Sequence, residues 1–160
     1  MKKLLLVPAL LATFVAGSLG EAPQPQTDFH KTLSSASKDQ KLAFVLLGRP
    51  TCGNCNATKA MIKEGKIEVT SADYVMGDLN VDDQRTYAAF MQKYGKEDFG
   101  NTLPFVVVTD SKGKLLASSG GYKNAAKWNA LLSEAKGKLS AKAATSGGTE
   151  GNWPFKNAPK

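Results

Sequence analysis

The run Leu42-Ala43-Phe44-Val45-Leu46-Leu47 is apolar at every position and ends at Gly48. A strand with one wet face alternates; a strand covered on both faces does not. The run therefore predicts a central strand over Leu42–Gly48 with helices packed above and below it. Arg49-Pro50-Thr51 breaks the strand, and Cys52-Gly53-Asn54-Cys55 opens a helix predicted to run to about Glu64. These are the chain's only two cysteines.

The flanking segments extend the same pattern. Asp28 is a helix cap, with Phe29, Leu33 and Ala36 facing inward. Tyr74–Asn80 reads as a second strand, and Asp82 and Asp83 precede a helix whose Tyr87, Phe90, Met91 and Tyr94 form an apolar stripe. Residues 95–102 read as a polar loop. Phe105–Thr109 is a β-branched strand, Asp110-Ser111-Lys112-Gly113 a turn, and Lys114–Ser119 its hairpin partner. Gly120-Gly121 interrupts, and Ala125, Trp128, Leu131, Leu132, Ala135 and Leu139 line one side of a last helix.

The two ends differ in composition. Lys2 and Lys3, an apolar run from Leu4 to Val15, and small residues through Gly20 read as a signal peptide over 1–20, cut before Glu21. The alternative is an uncleaved anchor, although the run is short for a membrane span. Residues 21–27, proline-rich and polar, read as a flexible lead. The folded domain is expected over 28–139, and 140–160 as a low-complexity tail in which Trp153 and Phe155 stand out.

Charge and cysteine count narrow the chemistry. The formal net charge of +7 is dispersed among acids and small residues, without the aromatic-interleaved basic patch that nucleic-acid binding calls for. An export signal implies an oxidising compartment. A disulfide between residues three apart closes too short a loop to be a useful staple. The pair therefore reads as chemistry: two thiols that close a disulfide and reopen it, the first favoured as thiolate by the helix N-terminus. Lowering a thiol pKa from about 8.5 to about 7 corresponds to roughly 2 kcal/mol. Arg49 is a second candidate to favour that thiolate.

The order of elements, Cys52-Gly53-Asn54-Cys55 after an apolar strand, and Thr102-Leu103-Pro104 before Phe105 together resemble the thioredoxin family, from about Phe29 to Leu139. The ending Asp78-Leu79-Asn80-Val81-Asp82 and the Gly-Gly before the last helix are similar to that family too. The resemblance implies an α/β fold with a central mixed sheet of about four to five strands flanked by helices. It implies a nucleophilic Cys52, a resolving Cys55, and a cis Pro104 beside the disulfide. It also implies that Leu103, with Thr51, Gly53 and Asn54, contacts an extended substrate segment. Four positions depart from the commonest pattern. Thr51 replaces the tryptophan before the first cysteine, Leu46 the buried acid, Asp78 the basic residue on the neighbouring strand, and Asn54 the proline of the motif. The apparent swap of acid and base makes Asp78 the candidate to take the proton of Cys55.

The function expected is that of an exported thiol–disulfide oxidoreductase acting on protein or peptide disulfides. Gly53 at the second motif position favours a reductase. Its redox group is the Cys52–Cys55 pair, with no other cofactor and an external electron donor or acceptor. It is expected to be a monomer, periplasmic rather than simply secreted, and not inserted in a membrane once cleaved. Two other classes remain open at this stage. One is thiolate binding of copper(I) or zinc, with His30 the only histidine. The other is a non-catalytic thioredoxin-like binding module.

Overall fold

The computed structural model describes residues 20–146. The expected leader up to residue 19 and the tail aromatics Trp153 and Phe155 lie outside them. Within that span the order is α1 (Phe29–Lys38), β1 (Leu42–Gly48), α2 (Gly53–Lys63), β2 (Tyr74–Asn80), α3 (Gln84–Tyr94), β3 (Phe105–Thr109), β4 (Leu115–Gly120) and α4 (Ala125–Ser146). The sheet order is β2-β1-β3-β4. β2 runs parallel to β1, and β3 antiparallel to both β1 and β4. This is the mixed, helix-flanked sheet the sequence implied, with four strands. Among the described residues no helix is long and apolar enough to cross a membrane.

Every residue of β1 is buried because both faces of the sheet are covered. Phe44 and Leu46 pack with Cys55, Ile62, Trp128, Leu132 and Ala135, on the side of α2 and α4. Ala43, Val45 and Leu47 pack with Phe29, Ala36, Phe90 and Tyr94, on the side of α1 and α3. Period-two alternation thus feeds two separate cores from one strand.

The helix starts follow capping chemistry. The Asp28 side chain accepts from the Lys31 N–H at the head of α1. Asp83 accepts from the N–H groups of Thr86 and Arg85 and from the Thr86 hydroxyl at the head of α3. The Thr86 bonds foremost, with Arg85, hold the Asp83 carboxyl below the usual carboxylate range.

Four expectations need correcting. Residues 21–27 are not a loose lead. Gln26 N–H donates to the Met76 carbonyl, the Gln26 carbonyl accepts from Asp78 N–H, and Ser71 N–H donates to the Glu21 carbonyl. Pro23 is buried and Ala22 packs on the core. The open edge of β2 is what the segment satisfies, and composition carries no sign of that. Second, α4 runs past Leu139 to Ser146, since Ala and Lys are good helix formers even in a low-complexity run. Third, α3 turns Thr86, Phe90 and Tyr94 inward and leaves Tyr87 39% exposed. Fourth, the polar loop over 95–102 contributes Phe99 to the core, stacked on Phe105 at 5.1 Å and packed on Phe90 at 5.7 Å. The Phe99 carbonyl lies where a Gly120 Cβ would stand, so only glycine closes β4 there.

Candidate active site

Cys52 is the N-cap of α2 rather than its first helical residue. Its extended backbone lets its sulfur accept from the Cys55 N–H at 3.2 Å. Its carbonyl takes the first helical bond, from Asn56 N–H at 3.0 Å. The turn before it is pinned twice. Cys52 N–H donates to the Arg49 carbonyl at 3.1 Å, and the Asn56 side chain donates to the Pro50 carbonyl at 2.9 Å. Arg49-Pro50-Thr51 ends the strand, and the Asn56 side chain fixes the angle at which the helix starts.

The two cysteines are bonded to each other, with Cα atoms 5.3 Å apart. Their surroundings are unequal. Cys55 is fully buried in the α2/α4 core, whereas Cys52 is half-buried beneath the exposed residues Thr51, Gly53 and Asn54. An incoming sulfur reaches Cys52 and not Cys55. Position at the helix N-terminus also favours a thiolate at Cys52 once the bond is opened.

Gly48 is a site residue the sequence reading passed over. A Cβ there would stand 2.7 Å from Cys55 Sγ and 3.3 Å from Leu46 Cδ2. The end of β1 and the buried sulfur are in direct apposition, and the absent side chain is what admits Cys55. An apolar strand ending in Gly just before a cysteine pair is the signal that marks it.

The other wall is the loop before β3. The Leu103–Pro104 peptide is cis. Pro104 is buried, and its carbonyl accepts from Gly121 N–H at 2.9 Å. Gly121 has a positive φ of 74°, which glycine adopts without strain. Leu103 and Cys52 are both partly buried against the α2/α4 core. Cys52, Cys55 and Leu103 thus share one core cluster and its rim, with Thr51, Gly53 and Asn54 exposed.

Asp78 stands in register with Leu46 on β2. Its carboxylate accepts from Lys59 Nζ at 3.1 Å, and both side chains are about a quarter exposed, at 26% and 29%. Lys59, on α2, is a second residue absent from the sequence reading. Arg49 does not turn to the sulfur: its guanidinium pairs with Asp82 at 2.9 Å. His30 is exposed on α1 with its ring against Phe29. Among the described residues no group of three or more His, Cys, Asp and Glu side chains could hold a metal ion.

No family model matches the sequence, and no curated protein matches it. Solved structures do. A mutant thioredoxin from Halobacterium salinarum aligns at 14% identity over 72% of this chain and 94% of its own, with a TM-score of 0.53. A thioredoxin-like protein from Clostridium perfringens aligns at 10% identity over 79% of this chain and 90% of its own, also at 0.53. Chloroplastic thioredoxin z aligns at 13% identity over 72% and 96%, again at 0.53. At these identities the likeness speaks for the fold alone: the chain has a thioredoxin-like fold, and it carries a Cys-x-x-Cys disulfide at the head of its second helix.

Proposed function

We propose that the protein is an exported thiol–disulfide oxidoreductase acting on protein or peptide disulfides, as a reductase. The observation that carries this is the unequal burial of a bonded pair at a helix N-terminus. A thiolate at Cys52 attacks a substrate disulfide sulfur and forms a mixed disulfide. Cys55, held beneath it, then attacks Cys52 and releases the substrate as a thiol. Leu103 and Pro104, with Thr51, Gly53 and Asn54, line the surface on which an extended substrate segment lies. Asp78 takes the proton Cys55 gives up.

The redox group is the cysteine pair itself, with electrons supplied by an external dithiol donor. The chain acts as a monomer in the periplasm. The basic, apolar and small-residue pattern over 1–20 supports export.

The test is the reduction potential of the Cys52–Cys55 pair, equilibrated against glutathione and dithiothreitol buffers. A value below roughly −230 mV places the protein with reductants, and one above roughly −180 mV with oxidants or isomerases. Failure of the pair to equilibrate at all, with Cys52→Ala leaving partner capture intact, would identify a non-catalytic binding module instead.

A further inference from the structure

The sheet has two unlike ends. β1 and β2 start together, β3 ends and β4 begins beside them, and the disulfide lies past the opposite end of β1. At about 3.3 Å per residue, β1 sets the two ends roughly 20 Å apart. Lysines scattered along the sequence meet at the starting end. Lys38 closes α1, and Lys41 leads into β1. Lys112 and Lys114 sit in the turn between β3 and β4. Lys93, in the last turn of α3, has its Nζ 3.2 Å from where a Gly113 Cβ would stand in that turn. From α4, Lys138 donates to the Leu116 carbonyl at 2.8 Å and Lys136 pairs with Asp73 at 2.8 Å.

The acids at this end leave most of that charge standing. Asp73 and Glu134 are paired with Lys136 and Lys138. Asp110 is buried, its carboxylate accepting from the N–H groups of Lys112 and Lys114. Asp39 is exposed between Lys38 and Lys41. Glu21, Glu64 and Glu68 line a separate cavity with Lys63 on the α2 side, where Glu64 pairs with Lys66. At the disulfide end Arg49 is paired with Asp82, Arg85 stands beside Asp83, and Lys127 is exposed at the head of α4. Two further features share the basic end. A cavity of about 420 Å³ is lined by Lys41, Ser111, Lys136 and Leu139, among others, and Leu139 is 37% exposed. The lead also begins here. A Gly20 Cβ would stand 2.8 Å from Thr70 Cβ, Ser71 N–H donates to the Glu21 carbonyl at 2.7 Å, and Lys41 Nζ donates to the Ser71 carbonyl at 2.6 Å. The apolar run Leu4–Val15 is therefore joined to the fold at its basic end.

We propose that the basic end is a docking face for an anionic lipid surface, with the disulfide held at the far end and turned away from the bilayer. This goes beyond the exchange reading and does not depend on it. Each lysine close to an anionic leaflet strengthens binding about fivefold, and the effect fades within a Debye length of about 10 Å. Lys38, Lys112 and Lys114 fall inside that distance when this end meets the surface. Arg85 and Lys127, roughly 20 Å away along the sheet, fall outside it. The cavity admits a lipid phosphate between Lys41 and Lys136, and Leu139 supplies an apolar contact among the cations. A soluble polyanion would match the lysines, but it would leave Leu139 and the attachment of the apolar run at this end without a role. Whether the leader is cut or kept, the fold meets the bilayer by this end.

The experiment uses the full chain, whose leader is common to every sample. The protein is mixed with vesicles of phosphatidylglycerol and phosphatidylcholine, or of phosphatidylcholine alone, and treated with an amine-reactive label that mass spectrometry reads lysine by lysine. Such labelling reports orientation even where the leader itself holds the chain on a vesicle. On anionic vesicles Lys38, Lys112 and Lys114 are protected severalfold and Lys127 is not. Salt at about 1 M, where the Debye length falls to about 3 Å, removes the protection. Once reduced with dithiothreitol, Cys52 is alkylated as fast on vesicles as in solution. In Lys112→Gln/Lys114→Gln the lipid concentration that half-protects Lys38 rises about 30-fold. In Arg85→Gln/Lys127→Gln, which removes the same charge from the other end, it stays within about twofold. Circular dichroism confirms that both variants fold. Protection that is equal on neutral and anionic vesicles, that covers Lys127 as fully as Lys112, or that weakens alike in both double variants overturns the proposal. So does binding to heparin without protection on vesicles, which would identify a soluble polyanion as the partner.

Discussion

Gly48→Ala places a methyl group where the buried sulfur sits. The new Cβ would lie 2.7 Å from Cys55 Sγ, 3.1 Å from Cys55 Cβ and 3.3 Å from Leu46 Cδ2. Non-bonded carbon atoms rest about 3.5–4.0 Å apart, so the sulfur must retreat by about 1 Å. Neither neighbour has room, since Cys55 and Leu46 are both 0% exposed. Such overpacking costs about 1–3 kcal/mol, offset in part by the backbone entropy that alanine saves in the unfolded chain. The cost depends on redox state. In the disulfide, Sγ is tied to Cys52 and cannot swing away. In the dithiol, Cys55 can turn to another rotamer. The variant should therefore lose more stability oxidised than reduced, measured by urea unfolding of each form. If the difference is about 1.4 kcal/mol, the disulfide becomes easier to reduce and the potential rises by about 30 mV. Equal losses in the two forms, with a potential unmoved to within about 10 mV, would refute the apposition of Gly48 and Cys55 as the cause.

Phe99→Ala should cost about 3 kcal/mol or more in urea unfolding, because it empties a ring from the cluster with Phe90 and Phe105; a cost near zero would mean that the loop does not pack as described. Gln26→Pro removes the N–H that bonds Met76 and should release the lead. We expect a stability loss of about 1 kcal/mol and more aggregation at high protein concentration, as the β2 edge opens; unchanged hydrogen exchange at Asp78 N–H would count against it. Tyr74 has a buried hydroxyl without a hydrogen-bond partner among the described residues, and burial foremost pushes its pKa up to about 12. A tyrosine pKa raised by folding gives stability that is full below pH 10 and lost as pH rises through about 12. Tyr74→Phe should be as stable as wild type or more so at pH 7, and should lose less between pH 10 and 12. An identical alkaline decline in both proteins would remove Tyr74 as its source.

β1 and β2 were legible to the residue because an unbroken apolar run and a Tyr-Val-Met strand have few other readings. The caps Asp28 and Asp83, and the helix after Cys52, followed from local chemistry. What escaped was set by contacts between distant segments. Pro23 and Gln26 are ordered by the edge of β2, roughly fifty residues away in sequence. Phe99 sits in a loop without periodicity and is buried because Gly120 admits its carbonyl. Tyr87 and Thr86 exchanged roles because the Thr86 hydroxyl bonds the Asp83 cap, which turns the stripe by one residue. In the site, the two cysteines and Pro104 were visible as motifs. Gly48, Asn56 and Lys59 were not, since each acts through a partner that only the fold brings near.

The placement of the acid is the chain's main departure from the thioredoxins it resembles, and it has an energetic consequence. A carboxylate at position 46 would sit beside Cys55 in a wall that is 0% exposed and holds no cation. At position 78 the acid is about a quarter exposed and meets Lys59 at 3.1 Å, so little desolvation is left to offset. Leu46→Asp should therefore behave as an unpaired buried acid that folds in its neutral form. Its pKa would be raised by folding, so the variant's deficit should be smaller at pH 4 and grow as pH rises past the unfolded value of about 4, reaching several kcal/mol at pH 8. Urea unfolding of Leu46→Asp and wild type at the two pH values measures this directly. A deficit that does not change with pH would mean that water already reaches the sulfur from the β1 side.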